Sequence, residues 1–163
     1  MTKPSSADLF AGALAGLAGG LAASFAVERF EKLRSAIAPG DDRDVEDPPN
    51  VKVAEMAARA ASGHGLSNSA KQSGGAAVHY GLGAMLGIAY GIAAELNPRV
   101  TAGFGTAFGA AAALALEETL VPAAGITDPP WEIPLDKHVA GMTSHLLFGL
   151  VTESVRSMTR ASA

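Results

Sequence analysis

The chain has 163 residues, no cysteine, an apolar share of 48% weighted toward Ala and Gly, and a formal charge of −4. That length suits one domain around one core, so residues 1–163 are read as a single unit. The lack of Cys excludes a disulfide framework, a thiolate metal site and covalent haem attachment. The twelve Lys and Arg are interleaved with acids, which excludes the clustered basic surface a nucleic-acid partner needs.

A mean hydropathy of +0.23 averages over blocks of very different character. The first, Leu9 to Val27, runs nineteen residues without a charge. At about 1.5 Å per residue it spans a hydrocarbon core of roughly 30 Å. Its helix, over about 8–37, is expected to stop at Pro39 and Gly40. A signal-peptide reading fits loosely, with Lys3 ahead of the apolar run, but the block exceeds the usual length and carries a row of glycines. The acidic run Asp41 to Asp47 reads as a solvated loop.

From about 51 to 62 the polar residues Lys52, Glu55, Arg59 and Ser62 recur at spacings of three and four, which predicts an amphipathic helix. Such a helix lies along a membrane interface or packs on the bundle. Gly63 to Gly74 reads as a polar loop. The second apolar block, over 74–95, contains only His79 as an ionisable group before Glu95. The third, over 100–119, is borderline in length and ends in Glu117 and Glu118. The segment ITDPPWEIPLDKH follows, and its prolines at 129, 130 and 134 predict a non-helical cap carrying the only Trp, Trp131, a residue type enriched at membrane interfaces. The fourth helix, over 138–158, has an apolar block of only fourteen residues, Val139 to Thr152, with Thr143, Ser144 and His145 inside it, so it enters a membrane only against partners. The expected architecture is all-α: a four-helix membrane bundle with an additional amphipathic helix in the first long loop.

Small residues recur every four positions in each block. The rows are Gly12, Gly16, Gly20 and Ser24; Gly83, Gly87 and Gly91; Gly105, Gly109 and Ala113; and Gly141 with Gly149. Helices in lipid gain nothing by hiding apolar surface, and small side chains let their backbones approach closely, within a chain or between chains. A homo-oligomer or a larger membrane complex is compatible with these rows, and membrane lipid is the expected partner.

If four helices alternate in direction, one end collects His79, Glu117, Glu118 and His138 with Glu28, and His145 two turns deeper. The other collects Glu95, Arg99, Glu153 and Arg156, where Glu153 pairs with Arg156 three residues on or Glu95 pairs with Arg156 across helices. The second group reads as a structural ion-pair layer. The first is open to three readings: a structural hydrogen-bond cluster, a proton or ion relay, or a metal site. No helix carries the Glu-x-x-His pair of di-iron bundles, no nucleophile, base and orienting group assemble into an enzyme site, and no cofactor is expected.

VKVAE at 51–55, AVHYGLGAMLGIAYGIAAE at 77–95, VTAGFGTAFG at 100–109, VPAAGITDPP at 121–130 and SHLLFGLVTESVR at 144–156 resemble the YagU-like family of small bacterial inner-membrane proteins. The resemblance covers nearly the whole chain and is strongest from His79 onward. It implies a multi-pass inner-membrane protein of undefined activity, loosely associated with acid tolerance in enterobacterial members. It maps family positions onto His79, Glu95, Glu118, Pro129, Pro130, His138, His145 and Glu153. The first loop is shorter here and Cys-free, so nothing residing in that loop transfers. The resemblance leans toward termini in the cytoplasm, whereas Arg29, Lys32 and Arg34 after the first block lean the other way.

Overall fold

The computed structural model describes residues 3–37 and 47–161, and among them every regular element is helical. The fold is all-α. The expected stops at Pro39 and Gly40 and the acidic run from Asp41 to Glu46 lie outside the described residues.

Helix α1 spans Ser6–Ile37. It starts earlier than its apolar block because Ser5 and Asp8 form a reciprocal cap, with the Ser5 hydroxyl donating to Asp8 at 2.7 Å and the Asp8 amide donating back at 3.2 Å. Helix α2, Pro49–Ser62, opens on a proline whose missing N–H costs nothing in the first turn, and ends where Gly63 turns left-handed at φ 77°. It packs on the start of α3, with Val51 and Ala54 buried against Gly75 and Gly74. Its polar stripe is engaged: Lys52 donates to the Ile126 carbonyl at 2.9 Å and Arg59 to Glu55 at 3.1 Å.

Helix α3 spans Asn68–Leu96, so the second half of the expected polar loop is helical. Nothing between Asn68 and Ser73 breaks a helix, and Lys71 there pairs with Asp47 ahead of α2. After a 3-10 turn at Pro98–Thr101, the third block begins as a helix six residues later than its expected start at 100. Gly103, Phe104 and Gly105 all adopt positive φ (62°, 55° and 85°), which no right-handed helix contains. Helix α4, Thr106–Ala115, then runs into one π-helical turn, Leu116–Leu120, and the single turn α5, Val121–Ala123. The proline segment holds only a 3-10 turn at Pro130–Glu132, and α6 runs from Leu135 to Ala161.

Glycines set the packing order. Along α1, a Cβ at Gly12, Gly16 or Gly20 would collide with the backbone of Gly91, Gly87 or Gly83 in turn, so α1 and α3 run antiparallel with their backbones touching. On its other side α1 meets α6, with Gly19 against Thr152 and Glu31 near Ser144, again antiparallel. Helix α4 lies along α6 through Gly105 on Gly149 and Gly109 on His145. The sequence of neighbours is therefore α3, α1, α6, α4. At one end Tyr90 of α3 reaches across to Glu153 of α6 and packs against Phe108 of α4, the rings tilted 55° with centroids 4.8 Å apart. At the other end α3 and the α4–α6 pair stay apart.

Of the four expected spans, two helices are long and apolar enough to cross a membrane, Ser6–Ile37 and Asn68–Leu96. The third block loses its first residues to the left-handed turn, leaving an α4 of 10 residues. The fourth makes a long helix of 27 residues whose middle carries Thr143, Ser144, His145 and Thr152.

Candidate functional site

Where α3 stands off from α4 and α6, a half-open cavity of about 670 Å³ forms. Helix α1 is its back wall, presenting Ser24, Val27, Glu31 and Arg34, while α3 contributes His79, Leu82 and Leu86, and α6 contributes Gly141, Ser144, His145 and Phe148. The start of α2, with Asn50, Lys52 and Val53, and the proline segment, with Thr127, Asp128 and Ile133, border the opening. The bond from Lys52 to the Ile126 carbonyl ties these two bordering pieces together across the gap.

All five residues of the expected polar cluster line this cavity, but they do not converge on one point. His138 sits ahead of the apolar stretch Val139–Thr152, at the polar end of α6. Its Nδ1 lies 2.6 Å from Glu118 and its Nε2 3.0 Å from the Pro130 carbonyl. Both partners only accept, so the imidazolium satisfies both. The Glu118 carboxylate and then the Pro130 carbonyl accordingly hold the His138 pKa above its ordinary value. His145 Nδ1 donates to the Gly141 carbonyl at 3.1 Å, one turn back on its own helix, and stands 3.4 Å from Glu117. Among the described residues His79 pairs with no carboxylate; its Nε2 lies 3.0 Å from the Ser24 carbonyl and bridges α3 to α1. Among the described residues no group of three His, Asp or Glu side chains comes together to hold a metal ion.

The π turn explains how Glu117 and Glu118, adjacent in sequence, both reach α6. It inserts an extra residue into the helical ladder, and the Thr119 hydroxyl bonds five residues back to the Leu114 carbonyl at 2.9 Å. The Glu117 carboxylate lies over Gly141, where any side chain would overlap it. Gly141 thus serves as a seat for a carboxylate, beyond its place in a packing row. Glu117 also feels the charges of His145, Glu118, Glu31 and His138. Sequence reasoning missed Glu31, which accepts from the Ser144 hydroxyl at 3.2 Å. Its position a turn beyond the apolar block hid it in a run of surface charges. Glu28, by contrast, faces away from the cavity, held by the Tyr80 hydroxyl at 2.6 Å and by Lys32.

The opposite end holds a denser ion-pair layer. Arg156 grips Glu153 through two bonds, at 2.7 and 2.9 Å, and stands 3.5 Å from Glu95. Glu153 is buried, and its Oε2 also accepts from Tyr90 at 2.8 Å, the tyrosine itself having no exposed surface. Glu95 is held by Arg160 at 2.9 Å, and Arg160 approaches Asp8 at 3.7 Å. Arg99 does not join: it is exposed, and among the described residues its bonds are made by its backbone, the N–H donating to the Asn97 side chain and the carbonyl accepting from the Ala102 amide, each at 3.1 Å. The 3-10 turn at Pro98–Thr101 swings it out of the register a continuous helix would have given. Arg160, one turn beyond Arg156, takes the place expected of Arg99.

A family model described as a protein of unknown function, DUF1440, matches residues 36–154. The chain belongs to the DUF1440 family. Membership is in keeping with the YagU-like resemblance. The DUF1440 match takes in α2, α3, α4 and most of α6, and with them the five cavity residues His79, Glu117, Glu118, His138 and His145. It begins near the end of α1, so the row Gly12, Gly16 and Gly20 lies ahead of the DUF1440 region. No curated protein and no solved structure matches the chain.

Proposed function

We propose that this chain is a multi-pass membrane protein of the bacterial inner membrane, with α1, α3, α6 and the α4 segment as a four-helix bundle and α2 with the proline segment covering one end. The observation that carries this reading is the distribution of side chains. The helix-to-helix contacts of α1 with α3 and of α4 with α6 run through glycines, and few large apolar side chains, chiefly Tyr90, Val27 and Phe148, are buried, whereas Phe10, Leu14, Phe25, Met85, Leu114 and Leu150 are exposed. A water-soluble helical protein buries such residues; a bundle in lipid turns them outward and packs through small ones. Trp131, 82% exposed beside the proline turn, suits a headgroup-level anchor. The role proposed for a bundle held together by glycine contacts and an ion-pair layer is structural or accessory.

Washing membranes with alkaline carbonate tests the placement. The protein is expected to stay in the pellet, and its release into the supernatant would overturn the reading. A second reading, proton or ion handling, draws on the His145–Glu117 and His138–Glu118 pairs along the cavity wall. In proteoliposomes it requires a pH-dependent flux that His145→Ala alters; a native protein with no flux removes it. The cavity lining includes no member of the Tyr90–Glu153–Arg156 layer, an arrangement that suits a one-sided site better than a path across the bundle.

A further inference from the structure

The cavity has two chemically different ends. Its floor is apolar, formed by Val27, Leu86 and Phe148. On α6, Ser144 and Gly141 lie four and seven residues before Phe148, which places them about 6 and 10 Å nearer the opening. At that height stand the carboxylates of Glu31 and Glu117, one beside Ser144 and the other over Gly141. Among the described residues neither has a Lys or Arg partner within ion-pair distance: Glu31 accepts from the Ser144 hydroxyl, and Glu117 stands 3.4 Å from the His145 ring. Two other acids of the lining are matched, Asp47 by Lys71 and Glu118 by His138, while Asp128 and Glu132 lie on the proline segment at the opening.

We infer that this cavity binds an organic ammonium ion carrying an apolar chain of about six to eight carbons, the ammonium between Glu31 and Glu117 and the chain lying on Val27, Leu86 and Phe148. The length follows from the 6 to 10 Å between carboxylates and floor, estimated at about 1.5 Å per helical residue. The charge follows from the lining, where six Asp and Glu outnumber Arg34, Lys52 and Lys137 and so disfavour an anion, and where the carboxylates gain little from a neutral chain. A bare metal ion has no third carboxylate or imidazole to complete its shell among the described residues. The inference goes beyond the membrane assignment and does not rest on it, since the cavity is formed within one chain.

The test is calorimetric titration of the full chain with hexylammonium, hexanol and hexanoate at neutral pH, in nanodiscs of zwitterionic lipid with the heats of empty nanodiscs subtracted. If carbonate releases the protein, the same titration runs in buffer. Saturable one-to-one binding of hexylammonium is expected, at least about tenfold tighter than either comparator, the worth of a charge-assisted hydrogen bond. The double variant Glu31→Gln, Glu117→Gln should bring hexylammonium down to the level of hexanol. Leu86→Trp fills the floor without touching either carboxylate, and should weaken binding by at least about tenfold. Equal binding of the three probes would overturn the inference. So would an unchanged hexylammonium affinity in Leu86→Trp, the variant that decides if the double variant does not fold.

Discussion

Glu153 shows what a buried charge requires. Its carboxylate is taken almost wholly out of solvent, and three donor bonds from Tyr90 and Arg156 replace the lost hydration. Tyr90→Phe deletes one of those donors and leaves the ring in place, so the variant should lose about 1–3 kcal/mol in detergent unfolding, while Arg99→Ala should be silent. Equal effects of the two would contradict the geometry. His138 makes a different prediction, because Glu118 and the Pro130 carbonyl raise its pKa in the folded chain. A raised imidazole pKa stabilises fully below the unfolded value near 6.5, and that stabilisation is lost as pH rises through the folded value. Melting temperature should therefore fall as pH is taken upward from about 6, and Glu118→Gln should flatten that slope. The Glu153–Arg156 pair was legible in the sequence as a three-residue spacing on one helix. Tyr90 was not, because its role depends on how α3 tilts toward α6, and no spacing within α3 records that.

Helices that touch backbone to backbone tolerate little. At Gly87 a side chain would meet the Gly16 carbonyl and the Cα of Gly20, neither of which can rotate away. Gly81, six residues earlier on the same helix, is exposed and has nothing within 4 Å of where its Cβ would be. Gly87→Leu should thus separate α3 from α1 and cost about 3 kcal/mol or more, whereas Gly81→Leu should leave the melting temperature unchanged or raise it slightly through helix propensity. Thermal unfolding of the two variants in one detergent decides the matter. The four-residue rows made these contacts readable before any coordinates, since only close approach gives glycine a use inside a helix. Element boundaries were less readable. Hydropathy does not distinguish Thr101–Gly105 from the helix that follows, and it took three consecutive positive φ angles to end it. The π turn left no mark in composition at all, yet it aims Glu117 and Glu118 at α6.

At the scale of the whole molecule, the proposed membrane placement is tested by counting the helices that cross a bilayer. Length and apolarity single out α1 and α3 as candidate spans, and antiparallel packing lays α6 along α1 and the shorter α4 along α6. A polar helix can cross if its polar side is covered, and α6 meets that condition: Ser144 and Thr152 are buried, and His145 and Glu153 face partners on the π turn after α4 and on α3. Because the chain has no Cys, single cysteines placed at Ser5, Ser62, Asn97 and Asp128 report topology without background labelling. If all four segments cross, a membrane-impermeant maleimide applied to sealed inverted and right-side-out vesicles should label Ser5→Cys with Asn97→Cys from one side and Ser62→Cys with Asp128→Cys from the other. If only α1 and α3 cross, Asp128→Cys should be labelled from the same side as Asn97→Cys. That outcome would leave the α4–α6 pair lying outside the lipid beside a two-helix anchor, a placement its exposed Leu114 and Leu150 oppose. The same labelling fixes orientation, for which the positive residues after α1 and the family resemblance point in opposite directions. It also decides which aqueous compartment the cavity faces, and therefore from which side an ammonium ion would reach Glu31 and Glu117.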